Sequence, residues 1–497
     1  MPVPPFRRLL VANRGEIAIR VMRACRELGI SPIAVHSDVD AGALHVRAAD
    51  RSELIGPAAA RDSYLSIEAV IDAARRSGAE AVHPGYGFLS ENAAFAAAVE
   101  AAGLVFVGPP PTALEALGNK LAARRSASAA GVPIVPGTTV ALEDDLGAVA
   151  AVGFPVMLKA AAGGGGRGMR RVDAEADLPD ALAAARREAA AAFGDGTIYV
   201  ERLVTPARHI EVQLLGDRHG GLAVLGERDC SVQRRHQKLV EESPSPAIGA
   251  ETREALLDSA RRVAGTVEFH NAATVEFLVD TDQRHYFLEM NTRLQVEHGV
   301  TELVTGLDLV AWQIRVAAGE PLSESVLEAP RRGHAIEVRL YAEDPYHEFG
   351  PTSGRVTTWR MPAGPGVRVD AGMEEDTDLR PEYDPLLVKL LVHADDRTAA
   401  VARLRRALDE THIGGLQTDA GFLRWLVDDE AFVAGDYDTG FIADRWRNGP
   451  AVEADERSMV AALAIAARRS VPAPVARPEA TASSAWGSAA RREGLRR

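Results

Sequence analysis

From Phe6 to Val107 the chain alternates apolar runs of strand length with amphipathic helical stretches, and few folds accommodate that order. Residues 6–12 read as a buried strand, Asn13-Arg14-Gly15-Glu16 as a turn, and the next stretch as an amphipathic helix to about Leu28, stopped by Gly29. Residues 32–36 form a second strand, so the unit is strand–helix–strand and the sheet is parallel. The pattern continues with a helix over 65–77, a strand over 79–83, a loop over 83–90, a helix over 91–102 and a strand over 104–107. A Gly-Pro-Pro-Pro run at 108–111 ends this first domain. The glycines at 85 and 87 lack the spacing of a dinucleotide fingerprint.

At 497 residues the chain exceeds one domain. An Ala-rich helical stretch occupies 112–130, and a small module with strands near 154–159 and 197–201 occupies 134–203. A longer α+β region runs from 204 to about 447, and residues 470–497 read as an Ala/Pro/Ser-rich linker or tail. A net charge of −14 argues against a general nucleic-acid binder. Cys25 and Cys230 make neither a disulfide framework nor a zinc set. No run is long and apolar enough for a membrane span, and Met1–Arg8 lacks a signal-peptide core, so the expectation is a soluble cytoplasmic protein.

Two strand-like runs, Thr274–Asp280 and His285–Asn291, flank the loop 281–284. Pairing Asp280 with His285 sets Glu276 opposite Glu289, with Glu289 and Asn291 on one face. Facing carboxylates repel unless a cation bridges them, and oxygen-only ligands favour Mg²⁺. A solvated acidic face is the alternative. Only four of the 56 basic residues are lysine: Lys120, Lys159, Lys238 and Lys389. Lysine is a compact point charge, so Lys120, Lys159 and Lys238 in their settings suggest a phosphate site; unreplaced surface lysines are the alternative. Lys159 ends a strand that leads into Gly163-Gly164-Gly165-Gly166, followed by a return strand near 170–172. That arrangement is not a Walker A loop and reads as a flap over phosphates, although linkers share the composition. The segment Asn291–His298 offers Arg293 as an anion fork and Glu297 as a base beside it. The segment Glu227–Lys238 is too polar for a core; a solvated loop is its alternative.

These residues together resemble biotin carboxylase, of the ATP-grasp ligases. The matching stretches are Ala12–Ala18, His83–Asn92, Gly163–Met169, Glu227–Lys238, Glu289–His298 and Ala342–Pro345, spread in family order over residues 6–447. The resemblance implies a mixed α/β and α+β chain with the ATP-grasp fold. Its parts are an N-terminal parallel-sheet domain over 1–118, an ATP-grasp region over 119–330 with a mobile lid at about 134–203, a C-terminal domain over 331–447, and a flexible tail over 448–497. It implies ATP- and bicarbonate-dependent carboxylation of biotin through carboxyphosphate, the first half-reaction of an acyl-CoA carboxylase of acetyl-CoA or propionyl-CoA type. Lys120, Lys159, Gly163 to Gly166, Glu201, His209, Gln233 and His236 match ATP contacts, with the backbone near Leu203 and Val204 at the adenine. Glu276, Glu289 and Asn291 match positions for Mg²⁺ or Mn²⁺, expected as two ions. Lys238, Arg293, Gln295 and the Val296 backbone match the bicarbonate pocket, Glu297 the base, Arg339 the residue that stabilises the biotin enolate, and Tyr86 the biotin-lining loop.

There are departures: Gly299 replaces the family's usual Pro, Phe349–Gly354 differs from its Leu-Pro-Ser pattern, and Thr418-Asp419 replaces Thr-Asn. No lysine has a methionine neighbour, as a biotin-bearing lysine would. The expected partners are therefore a separate biotin carboxyl carrier protein and a carboxyltransferase subunit; homodimerisation is what the resemblance implies. The competing readings are a pyruvate or other carboxylase subunit, an ATP-grasp ligase with another acceptor, and an inactive nucleotide-binding scaffold. Arg339 and the loop His83–Asn92 argue against another acceptor; the retained Glu276, Glu289, Arg293 and Glu297 argue against a scaffold.

Overall fold

The computed structural model describes residues 6–138, 149, 151–161 and 169–446. The loop Gly163–Gly166 and the tail 448–497 lie outside the described residues. The N-terminal alternation folds as expected into a parallel sheet. Its strand order is Arg51–Gly56, Ser31–Ser37, Arg8–Val11, Ala81–His83, Val105–Phe106. Strand order reverses at Arg8–Val11, so the crevice beyond Val11 and His83 is where such a sheet binds ligands. Local chemistry sets the helix ends. The Ser66 side chain caps Ile67–Ser77 at Ala69 N, Asn92 caps Ala93–Ala101 at Phe95 N, and Gly78 closes the former at φ +65°.

The strand Arg51–Gly56 was not foreseen. It is an edge strand of polar composition with Leu54 54% exposed, so it shows no apolar alternation. The small module places Val156–Ala160 between Arg170–Val172 and Ile198–Arg202, all antiparallel. Helix Leu178–Phe193 covers it through Leu178, Leu182, Ala185 and Ala189.

An eight-stranded antiparallel sheet dominates the rest. Its order is His285–Asn291, Asn271–Asp280, Ala207–Gly216, Leu222–Arg234, Gln237–Ser243, His334–Tyr341, Leu386–Ala394, Val367–Ala371. It runs unbroken across residues 204–447, because Gln237–Ser243 pairs directly with His334–Tyr341.

Alternation gives this sheet two unlike faces. Ile210, Val212 and Leu214, with Val275, Phe277 and Val279, pack under helices Lys120–Ala129 and Ala250–Ala264. Ile336, Val338, Val388 and Leu390 pack under Arg397–Glu410 and Ala420–Asp428. The intervening residues, among them His209, Glu211, Glu276, Glu337, Arg339 and Lys389, form a charged second face. Helix His298–Thr305 lies over that face, with Val300 and Val304 against Ala335 and Leu391. Charges there are consequently buried and pair within the protein, or, as at Glu337, where burial raises the carboxyl well above its ordinary range, are neutralised. Among the described residues, no helix is long and apolar enough to cross a membrane.

Glu242 shows how the C-terminal helices are pinned. It is buried and takes Arg397 Nε at 2.7 Å, Arg397 Nη2 at 3.0 Å and His334 Nε2 at 2.5 Å, and it accepts the Tyr437 hydroxyl. Burial alone would raise this carboxyl, but its hydrogen bonds to His334 and Arg397 prevail and hold it at about 2. A depressed folded-state pKa contributes stability above the ordinary value and loses it as pH falls toward the folded one. Glu242→Gln is expected to cost about 3 kcal/mol at pH 7. The gap between wild-type and variant melting temperatures should close as pH falls from about 4.5 toward 2. A gap independent of pH would refute the pairing.

Candidate active site

The acidic hairpin forms with Glu276 opposite Glu289, as expected, but by a different register. Near the turn Val279, not Asp280, pairs with His285; a bulge between Glu276 and Phe277 absorbs the one-residue difference. Two opposing features cancel, and the carboxylates meet. Asn291 Nδ2 lies 2.9 Å from Glu276 Oε1 and 3.4 Å from Glu289 Oε1. Lys120 Nζ is 2.7 Å from Glu289 Oε2, and His209 Nε2 is 2.8 Å from Glu276 Oε2. Burial opposes charge on both carboxylates, yet Lys238 and His209 hold Glu276, and Lys120 holds Glu289, below the usual range.

Lys238 lies at the centre of the charged face. Its ammonium donates to Glu211 Oε2 at 2.6 Å, Glu297 Oε1 at 2.7 Å and Glu276 Oε1 at 3.0 Å. Burial works against this charge, but Glu211, Glu276 and Glu297 more than compensate, leaving Lys238 firmly protonated. Arg339 Nη2 lies 2.9 Å from the other Glu297 oxygen and 2.5 Å from Glu241 Oε1. Glu297 is wholly buried as the residue that begins helix His298–Thr305. Burial would raise its pKa, but Lys238, Arg339 and Arg228 hold it well below the carboxylate range. Gly299, in the first turn, brings the helix close: a Cβ there would lie 2.5 Å from Leu391 Cδ2.

Beside this group Arg293 spreads its fork. Nε meets Glu91 Oε2 at 3.0 Å, Nη1 meets Gln295 Oε1 at 3.1 Å, and Nη2 meets Asn291 Oδ1 at 3.3 Å. Gln295 Nε2 reaches Glu276 Oε1 at 3.3 Å. The Val296 carbonyl accepts from Lys389 at 2.8 Å. Lys238, Arg293, Gln295, Glu297, Arg339, Glu276, Glu289 and Asn291 therefore belong to one connected site.

The nucleotide candidates divide. Lys159 Nζ is 2.5 Å from Glu201 Oε2, and the buried Arg124 holds the other Glu201 oxygen. Both oxygens of Glu201 are thus engaged. The Leu203 amide is committed to the Pro155 carbonyl at 2.9 Å, while Val204 follows in the connection to the large sheet. Gln233 pairs with Lys238 beside the two-residue turn Arg235–His236, whose non-glycine residues have φ +48° and +68°. Tyr86 lies in the crevice at the N-terminal sheet's switch point. Its hydroxyl donates to Glu16, and its loop is held by Asn13 Nδ2 on the Pro84 and Tyr86 carbonyls at 2.8 and 2.7 Å.

Several members of the site were not singled out from sequence. Glu211 supports Lys238 and Arg228, and Arg228 also donates to Gln213 Oε1 at 2.8 Å and Thr301 Oγ1 at 2.7 Å. The available signal for Glu211 was a carboxylate inside the apolar run Ile210-Glu211-Val212. Glu241, pushed up to about 7 by burial, offset by Arg339, carries a similar signal. Cys230 lies 4.0 Å from Glu297 Oε1, and burial with nearby Glu211 keeps it a thiol. Among the described residues, His209–Glu211–Glu276 and Glu211–Cys230–Glu297 bring three ligand atoms within 4.8 Å of one another. Glu211, common to both groups, has one oxygen on Arg228 and the other on Lys238, which argues against either as a metal centre.

Residues 5–114 match the model for the biotin carboxylase N-terminal domain and 337–444 its C-terminal domain. Residues 119–325 match the ATP-binding domain of the carbamoyl-phosphate synthase L chain. The chain is 47% identical over 442 residues to a biotin carboxylase of Halalkalibacterium halodurans, covering 88% of this chain and 98% of that protein. It is 50% identical over 446 residues to the mitochondrial methylcrotonoyl-CoA carboxylase subunit alpha of Oryza sativa subsp. japonica, covering 89% of this chain but 60% of that longer protein. Among solved structures, the biotin carboxylase domain of Hydrogenobacter thermophilus 2-oxoglutarate carboxylase, in complex with MgADP, ADP and bicarbonate, matches at a TM-score of 0.87. The two share 42% identity, and the match covers 90% of this chain and 99% of that one. Campylobacter jejuni biotin carboxylase, in a β,γ-ATP complex, matches at a TM-score of 0.86 with 43% identity, over 88% and 99% of the two chains. With the parallel-sheet domain, the charged antiparallel sheet and these matches over 88–90% of the chain together, the chain belongs to the biotin carboxylase family of ATP-dependent ligases.

Proposed function

We propose that this chain uses ATP and bicarbonate to carboxylate biotin presented by a separate carrier protein. One observation carries the reading: Glu297 has one oxygen on Lys238 and the other on Arg339, beside the Arg293–Gln295 fork and the facing Glu276–Glu289 pair. A base, an anion pocket and a phosphate-side acidic pair are thereby adjacent.

Each residue then has a defined task. Arg293, Gln295 and Lys238 hold bicarbonate, with the Val296 backbone at the pocket's edge. Glu297 takes the bicarbonate proton. A carboxylate held this far below its usual range is a weak base, and an incoming anion that shares the Lys238 and Arg339 donors strengthens it. The bicarbonate oxygen attacks the ATP γ-phosphoryl group, giving carboxyphosphate and ADP. Lys120, Lys159, His209, Gln233 and His236 hold the nucleotide. Glu201, with both oxygens engaged, acts by placing Lys159, while the backbone near Leu203 and Val204 meets the adenine. Carboxyphosphate breaks its C–O bond to give CO₂ and inorganic phosphate, the phosphate takes the N1 proton of biotin, and Arg339 stabilises the resulting enolate, which captures CO₂ at N1. Tyr86 lines the biotin side.

Glu276, Glu289 and Asn291 supply oxygen donors without sulfur, a set that fits Mg²⁺ or Mn²⁺. When bound, such ions add positive charge near the phosphate oxygens. Gly163 to Gly166, in the lid, would cover the phosphates and keep water from carboxyphosphate. A homodimer, a biotin carboxyl carrier partner, a carboxyltransferase partner and a cytoplasmic location complete the proposal. The carrier and carboxyltransferase partners are supported by the absence of a methionine beside any lysine and by relatives that are carboxylase alpha subunits.

Glu297→Gln is expected to reduce bicarbonate-dependent ADP release by at least about a hundredfold. Its ATP affinity, measured by calorimetry, should stay within about threefold of wild type. Full activity in this variant would remove Glu297 as the base. Lys238→Gln leaves three buried carboxylates without their shared cation and is expected to cost about 3–5 kcal/mol in denaturant unfolding. Adding Glu211→Gln should recover part of that loss. A stable Lys238→Gln protein would show that the ammonium does not hold this cluster together.

A further inference from the structure

Lys389 is the rare lysine that phosphate and bicarbonate binding leave without a task. It sits in mid-strand between Val388 and Leu390 and is wholly buried. A buried ammonium is retained where it is partnered. Its Nζ donates to the Val296 carbonyl at 2.8 Å and lies 3.3 Å from Glu16 Oε2 and 4.0 Å from Asp370 Oδ2. Burial works against its charge, and Glu16, Glu337 and Asp370 restore it.

The two ends of this contact chain are informative. Val296 is the residue before Glu297, so its carbonyl belongs to the peptide that carries the base into helix His298–Thr305. Glu16, in the first turn of helix Gly15–Glu27, accepts the Tyr86 hydroxyl on its other oxygen. Lys389 thus stands between the base segment and the crevice loop of the N-terminal sheet, and it pairs in register with Arg339 on the adjacent strand. The joint is close-packed: a Cβ on Gly372 would lie 2.7 Å from the Glu16 amide nitrogen and 2.9 Å from Gly15. A point charge reaches acceptors from three segments in that space, whereas a planar guanidinium is wider and directional.

We propose that Lys389 is a positioning residue that fixes the Val296–Glu297 peptide and couples it, through Glu16, to the Tyr86 hydroxyl. This rests on Glu297 being the base. Lys389 touches none of the reacting groups, so it acts through placement of the base and of the biotin-side loop together.

The test uses the full chain in steady-state ADP release, with bicarbonate and free biotin varied separately. Lys389→Met is expected to lower kcat at least about tenfold with KM for ATP unchanged. Tyr86→Phe and Lys389→Met, whose side chains are linked through Glu16, should combine non-multiplicatively in kcat/KM for biotin, by about three- to tenfold. A merely structural lysine would lower the melting temperature while leaving kcat per folded enzyme unchanged and the two effects multiplicative; either result overturns the proposal. Glu16→Gln preserves shape and carries the test if Lys389→Met does not fold. It should raise KM for biotin and also lower biotin-independent, bicarbonate-dependent ADP release, and wild-type values for both overturn the coupling. If the wild-type chain releases no ADP in response to bicarbonate and biotin, the base assignment fails and the proposal with it. If wild type is active and the variants match it, the coupling alone fails.

Discussion

The Lys238 ammonium, shared by Glu211, Glu276 and Glu297, is the interaction on which the site depends. Each carboxylate comes from a different segment: Glu211 and Glu276 from adjacent strands, Glu297 from the start of a covering helix. Unpaired, each would be expensive under that helix, and mutual repulsion would add to the cost. One lysine makes their convergence tolerable. Arg228 and Arg339 complete the balance from flanking strands, so the charged face behaves as a single electrostatic unit.

That unit explains the architecture around it. A sheet with one apolar and one charged face needs different covers. Helices with apolar stripes, such as Ala250–Ala264, pack on the first. The second is covered by His298–Thr305 and approached by helix Gly15–Glu27, whose Arg20 lies 2.7 Å from both Glu302 and Asp308. The parallel-sheet domain is therefore joined to the large sheet through ion pairs as well as apolar contacts. Its crevice at the strand-order reversal faces the same charged layer through Glu16 and Lys389.

Much of this was legible in the residues. The alternation from Phe6 to Val107 specified a parallel sheet because strand and helix periods are distinct and glycine marks the joints. Arg51–Gly56 escaped notice because an edge strand has little to bury. The pairing of Glu276 with Glu289 was legible, but the bulge that delivers it was not, since a bulge has no local sequence requirement here. Arg293, Gln295 and Glu297 are close in sequence as well as in space. Glu211, Arg228 and Glu241 join them only through sheet pairing, which periodicity does not reveal. Lys389 was conspicuous as one of four lysines, yet its partners Glu16 and Val296 are contributed by distant parts of the chain.

The most direct measurement is ADP release by the purified chain with ATP, Mg²⁺ and bicarbonate, in the presence and absence of free biotin. Release that requires bicarbonate and rises with biotin is the expected result. Bicarbonate-dependent turnover indifferent to biotin would contradict biotin as the acceptor. ATP binding without turnover would contradict a catalytic role for the Glu297–Lys238–Arg339 group.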